Sequence, residues 1–436
     1  MQLSHKTDHP QRYALTNELH ARPFQPFTSP GRVLNICFKQ VESAVERDPA
    51  EDLAHLISFI DRHGGPHPAE GANHYTHEFG RFRLKWERHT EFISYTLFES
   101  GAREKLFERG LADLLPQDWM EAAPGVVIAA IDMELVQVED GPADSLIDEP
   151  LNRFFAPDSI VISRVLDGAG LAVGDFRIHE GGFTRFALVI DRPVGARRIG
   201  RAVQRLAEVE IYRTLALLAL PIARDTSARL NQIERDLTTL IGLVAKNPGE
   251  GDSIADILRQ LSVLSAEIET LAAASAFRFG AAEAYERIVA DRIDMLREQR
   301  VKDRQVFREF MLRRFEPAMQ TCHYTAKRLT ELSARASRVA QLLRTRVEVE
   351  MESQNQQLLR SMDDRAGMQL RLQRTVESVS VVAISYYAIS LVSYLLAPWA
   401  PQWGIDVTVL TGIVAVPIIF IIWLAARTVR RKIENS

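Results

Sequence analysis

From Pro317 to Leu396 the chain offers eighty consecutive positions without an internal proline, and the next one is Pro398. Pro317 suits the first turn of a helix, where its missing N–H costs nothing. Near Val379 the composition changes from charged and amphipathic to wholly apolar. One helix can therefore begin in water and end in a bilayer, with an expected length of about 120 Å at 1.5 Å per residue. A second apolar run, residues 407–426, follows a link that holds Pro398, Trp399, Pro401, Trp403 and Gly404. Runs of about twenty apolar residues are the length that spans hydrocarbon.

The flanks of the two runs set an orientation. Arg365, Arg371 and Arg374 precede the first, and Arg427, Arg430, Arg431 and Lys432 follow the second. The link between them has no Lys or Arg, so both ends are expected on the cytoplasmic side of an inner membrane. With 436 residues there is room for soluble regions beside the hairpin. A formal charge of −4 with interleaved signs points away from a nucleic-acid partner. Cys37 and Cys322 are the two cysteines, and residues 1–23 carry no apolar core of a secretory signal, so reduced thiols are expected.

Taken in order, residues 1–30 are rich in His, Pro and Phe and read as an irregular arm rather than a helix. Residues 31–192 read as a mixed domain of about seven strands. Strand signals lie at 32–39, in a hairpin from Phe79 to Phe98, and at 125–138, 159–166, 171–178 and 183–190. Helices are expected over 50–62, 103–115 and 145–154. The fold class is thus α+β or α/β. Residues 197–316 read as long antiparallel helices, the first interrupted at Pro221 and the second running from a cap at Asp252 or Ser253 to about Arg314. No strand signal is seen after Pro193. Then come a stalk helix (317–378), a first span (379–397), an external loop (398–406), a second span (407–426) and a basic tail (427–436).

Three groups of residues carry candidate chemistry. Tyr386, Ser390, Ser393 and Tyr394 fall within about 100° of arc on the first span, a hydroxyl face suited to lining a pore. On the stalk, Met319, Cys322, Leu329, Ala336 and Leu343 keep a coiled-coil-like spacing, and Asn355, Arg365 and Gln369 continue that stripe as polar candidates for a central axis. His63, His67, His74 and His77 can offer imidazoles to a divalent cation, although the surrounding Gly and Pro residues favour a surface loop. Asp132 and Glu134 share a strand face and, without a partner group, read as structural. No nucleophile–base pairing stands out, so an enzyme is not expected and no cofactor is assigned.

The run Asn17-Glu18-Leu19-His20-Ala21-Arg22-Pro23-Phe24, with Trp86 to Phe92 including His89, resembles the signature of a bacterial family of membrane-anchored proteins of unknown function. That resemblance covers essentially the whole chain and implies no substrate, so Asn17, Glu18, His20, Arg22, Pro23, Trp86 and His89 enter as motif positions with open roles. The order of domain, long helices, stalk, two spans and basic tail also resembles, more distantly, the CorA-type magnesium transporters. Members of that family are pentamers whose first span lines the pore. The Gly-Met-Asn motif of that family is replaced here by Ala397-Pro398-Trp399. The leading expectation is a homo-oligomeric membrane protein conducting a cation or small solute. The alternative is a membrane-anchored scaffold or sensor whose cytoplasmic domain binds a protein or other partner.

Overall fold

The computed structural model describes residues 8–18, 24–41, 47–101, 105–107, 110–139, 141, 143, 152–245 and 254–434. Two compact units emerge, Met1–Ala340 and Gln341–Ser436. The first unit is built on a nine-stranded sheet. Its strands are β1 (Gly31–Lys39), β2 (His74–Glu78), β3 (Arg83–Arg88), β4 (Phe92–Ser100), β5 (Val126–Gln137), β6 (Val161–Val165), β7 (Gly170–Ile178), β8 (Thr184–Ile190) and β9 (Gln299–Arg300). They lie in the order β2-β3-β4-β1-β5-β8-β7-β6-β9, and only the β5–β8 pair is parallel. The fold class is α+β, as expected. The count of seven strands falls short because β2 is a polar edge strand and β9 is a two-residue strand placed between helices.

Both faces of the sheet are covered. On one face Leu34, Ile36 and Phe38 of β1 and Ile93, Tyr95 and Leu97 of β4 pack with Leu56, Phe59 and Ile60 of α2 (Pro49–His63) and Trp119 of α3 (Gln117–Glu121). Helix α2 is delimited by its sequence. The Asp48 side chain accepts from the N–H of Ala50 at 2.8 Å, and Gly64 adopts φ 73° so that its N–H reaches Ile60 O. His55 lies inside this layer, with Nδ1 2.8 Å from the Tyr95 hydroxyl and Nε2 3.0 Å from the Trp119 carbonyl. A carbonyl only accepts, so Nε2 carries the proton and Nδ1 accepts from Tyr95. Burial holds the His55 pKa down at about 4.

The opposite face carries α4 (Ala196–Leu217) and α6 (Ile254–Leu296), with Val33, Met133, Phe186 and Leu188 meeting Val203, Leu206 and Ile293. The helix pair α4 and α5 (Ala219–Ala245) breaks at Leu218, because the Pro221 ring cannot sit beside the Leu217 carbonyl of a continuous helix. The helix expected to reach Arg314 ends instead at Leu296. Arg297 turns into the left-handed region at φ 49°, β9 pairs with β6, and a separate α7 (Phe307–Arg314) begins. Glu298 starts α7 from a distance by accepting the N–H groups of Phe307 and Arg308 at 2.9 and 2.8 Å. Helix α8 (Glu316–Leu396) runs beside α5 and antiparallel to α6, through the pairs Arg328–Glu234, Ser333–Glu269 and His323–Glu286.

Other expectations need correcting. The arm is not wholly irregular, since α1 (Arg12–Glu18) forms there. A helix over 103–115 is not seen among the described residues, where residues 105–107 form a bend and turn and Ala112–Leu114 make one 3-10 turn. Of the helix expected over 145–154, Asn152–Phe154 form a 3-10 turn and the rest lies outside the described residues, as do Asp252 and Ser253. In the second unit a 3-10 segment (Ala397–Trp403) follows α8, and α9 (Val407–Glu434) extends well into the region read as a tail. Both apolar helices are long enough to cross a membrane. None of the first apolar window and 6 % of the second is buried, so neither is a core helix of this chain.

Because the pKa of His55 is lowered from 6.5 to about 4, its contribution to stability is complete above pH 6.5 and is lost as pH falls through 4. In chemical denaturation followed by tryptophan fluorescence, the parent should lose up to about 3 kcal/mol from this group over that window. His55→Gln should show a correspondingly flatter profile between pH 6.5 and 4.

Candidate functional site

Alternation along β1, β3 and β4 sends one set of side chains toward α2 and the other toward α4. The set toward α2 is apolar. The set toward α4 includes Asn35, Lys85, Glu87, Ser94 and Thr96, which is unusual for a surface that a helix covers. Together with Gln204, Glu208 and Tyr212 of α4 and Arg292 of α6, these residues enclose a cavity of about 280 Å³. His89 and Phe92, stacked at 4.2 Å, form part of its wall.

The polar groups of the cavity form chains of contacts. Lys85 Nζ lies 2.9 Å from Glu87 Oε2. Arg292 pairs with Glu208, which also accepts from Gln204 Nε2 at 2.6 Å. The Gln204 Oε1 is buried without a hydrogen-bond partner among the described residues. Asn35 Nδ2 donates to Thr96 Oγ1 at 2.8 Å, and the Cys37 thiol donates to Asn35 Oδ1 at 3.3 Å. Burial, and then the Glu87 carboxylate, pushes the Cys37 thiol up, which keeps it protonated and unreactive. Burial likewise raises the Tyr212 phenol, helped by Glu208 and Glu87.

Next to the cavity, Glu91 holds the β3–β4 turn against α6. It accepts from Arg278 at 2.7 Å and from the Tyr285 hydroxyl at 2.6 Å, and Lys39 Nζ lies 3.9 Å away. Tyr285 in turn packs 5.4 Å from Tyr212 of the cavity wall. On the α4 side, Gly200 is where the arm crosses the helix. A Cβ built there would fall 1.9 Å from the Gln25 carbonyl oxygen, so only glycine allows this approach.

The residues singled out from sequence fare differently. His89 lines the cavity, whereas Trp86 is fully buried on the other face of the sheet. His20, Arg22 and Pro23 lie outside the described residues; Asn17 and Glu18 end α1, and their side chains are likewise outside them. The four histidines read as a loop do not converge. His63 ends α2 against Phe59, His67 pairs with Asp61, and His74 and His77 lie on opposite faces of β2. Among the described residues no group of three or more metal-ligating side chains occurs. Asp132 and Glu134 do have a partner: Arg32 reaches Asp132 through two hydrogen bonds of 2.8 and 2.6 Å and lies 3.4 Å from Glu134.

In the second unit Tyr386, Ser390 and Tyr394 are exposed together, the tyrosines at 68 % and 85 %, while the Ser393 Oγ is buried without a hydrogen-bond partner among the described residues. Asn355 is exposed, and Arg365 and Gln369 line a cleft with Trp423 and Arg427 of α9. On the stalk, Met319, Cys322, Leu329 and Ala336 are buried within the first unit, so this part of the seam is already occupied by the chain itself.

The profile of a family described as a protein of unknown function (DUF3422) matches residues 7–433. The chain belongs to that family. No curated protein and no solved structure matches this DUF3422 chain. Its alternating polar positions on β3 and β4 were visible in the sequence, but nothing local in the sequence marks them as covered by α4.

Glu91 and Arg278 are 3 % and 9 % exposed, so removing one partner leaves the other charge buried. Glu91→Leu should destabilise the protein by about 3–5 kcal/mol, and the Glu91→Leu/Arg278→Met double variant should recover most of that loss. Denaturant unfolding of the three proteins measures both quantities.

Proposed function

We propose that this chain is a membrane-anchored binding protein: the α8–α9 hairpin holds it to a bilayer, and the cavity under α4 takes a small polar solute. The cavity carries this reading, because it places charged and hydrogen-bonding groups in a layer that is otherwise apolar. Its volume of about 280 Å³ lies just below the range of roughly 300–1,000 Å³ common for drug-sized ligands, which favours a compact one. Lys85 and Arg292 stand against Glu87 and Glu208, so the formal charges of these four groups cancel. A wall of that kind suits a solute that is neutral overall yet carries separated charges, such as a free amino acid. The buried Gln204 Oε1, without a hydrogen-bond partner among the described residues, can accept from an ammonium or hydroxyl of such a solute.

Two exposed apolar helices support the anchor, and the basic residues beside them favour both ends on one side of the membrane. A second reading, assembly into a conduit with the first span innermost, is favoured by Tyr386, Ser390 and Tyr394 sharing one exposed face. The CorA-like order of elements agrees with it, without the Gly-Met-Asn motif of that family.

Thermal unfolding of the detergent-solubilised full chain against a panel of free amino acids tests the first reading. At least one should raise the melting temperature saturably, and Gln204→Leu should abolish the rise; a panel without effect refutes the proposal. For the second, native mass spectrometry should show a ring of several chains, and cation flux into liposomes should fall by about tenfold or more in Ser390→Leu, a bulky apolar group on a hydrated path. A monomer without flux removes it.

A further inference from the structure

On a different side of α4 from the polar cavity lies a second hollow of about 250 Å³, between α4, the β6–β7 turn and the end of α6. Its charge is one-sided. Arg198, Arg201 and Arg205 project from α4 at spacings of three and four, which places them along one stripe about 10 Å long. Arg297 joins them from the end of α6, and Asp167 is the one carboxylate among the described lining residues.

Contacts among the described residues do not balance these four guanidinium groups. Arg198 donates to Leu166 O at 2.8 Å and to Asp167 Oδ2 at 2.5 Å. Arg297 shares the same carboxylate, at 3.7 Å from Oδ1. Arg205 donates to the Met295 carbonyl at 2.8 Å, a partial charge only. Arg201 lies over the ring of Phe24, 5.0 Å from its centroid. Arg205 is held below its ordinary pKa chiefly by desolvation, and then by Arg201, Arg292 and Arg297 against the opposing Glu208 carboxylate.

The backbone of the hollow is also strained. Leu166, Asp167 and Arg297 have φ of 59°, 55° and 49°, three of the six positive values at non-glycine positions among the described residues. Such conformations cost about 1–3 kcal/mol each and gather at ligand-binding sites.

We infer that this hollow is an anion site for a phosphoryl ligand bearing two or more negative charges, clamped by Arg201, Arg205 and Arg297 beside the Asp167-bound Arg198. Planar guanidinium forks match phosphate oxygens in pairs, and a stripe of three arginines suits an extended anion better than a single phosphate. The ligand carries its own charge to the site, so the inference stands independently of the amino-acid cavity. Phe24, the last residue of the arm motif, packs its ring against Arg201, one of the lining residues.

Isothermal titration of the detergent-solubilised full chain with inorganic pyrophosphate, at constant ionic strength, tests the assignment. Saturable binding is expected, weakened about tenfold or more in Arg201→Gln and again in Arg297→Gln, with melting temperatures in the absence of anion close to the parent. Among the described residues neither side chain has a buried ion pair, so these variants should fold. Short-chain phosphatidic acid below its micelle concentration forms the second arm: tighter binding than pyrophosphate identifies a lipid headgroup, and weaker binding identifies a soluble anion. Absence of binding by both, or affinity unchanged in the Arg201→Gln/Arg297→Gln double variant, overturns the inference.

Discussion

Helix α4 closes over one face of the sheet, and the chemistry of the first unit follows from that contact. Were this face open to water, Asn35, Lys85, Glu87, Ser94 and Thr96 would be ordinary solvated positions on a half-exposed antiparallel sheet. Under the helix they must find partners, because a buried polar group without one costs free energy. Lys85 with Glu87, and Asn35 with Thr96, do so through an ion pair and a side-chain hydrogen bond that leave a small polar hollow between them. The same helix presents its arginines on another side to the end of α6, so one element organises two sites of opposite character.

The seating of α4 depends on two features close in sequence to it. Gly200 admits the arm against the helix, where Phe27 donates its N–H to Ala196 O at 3.1 Å. At the other end the break before Pro221 separates α4 from α5. Glu91, bonded to Arg278 and Tyr285, ties the neighbouring hairpin to α6 and keeps both helices on the same face of the sheet. Charged contacts of this kind give position more than net stability.

Much of the fold was legible in the sequence. The β-hairpin around Trp86 and Tyr95, the limits of α2, the break near Pro221 and the two apolar helices all have local causes: alternation, caps, a proline and uninterrupted hydrophobicity. The failures have non-local causes. Strand β9 is two residues long and exists because β6 is beside it, and α6 stops at Leu296 because Gln299 and Arg300 pair with β6 while Glu298 caps α7. The first half of the stalk seam, from Met319 to Ala336, is filled by helices of the same chain, whereas its spacing alone is equally suited to a second copy.

The sequence by itself determined most of the longer helices and strands and the two membrane-length runs, since those properties reside in the period and length of local patterns. It also marked His89 as a motif position, without saying what surrounds it. Only the tertiary structure decided that the polar side of the hairpin is covered by a helix. The same holds for the four arginines, gathered from α4 and α6 at one hollow, and for the histidines of β2, held apart. The physical reason is that a side chain's polarity is a local property, whereas its burial and its neighbours depend on which distant element is packed upon it.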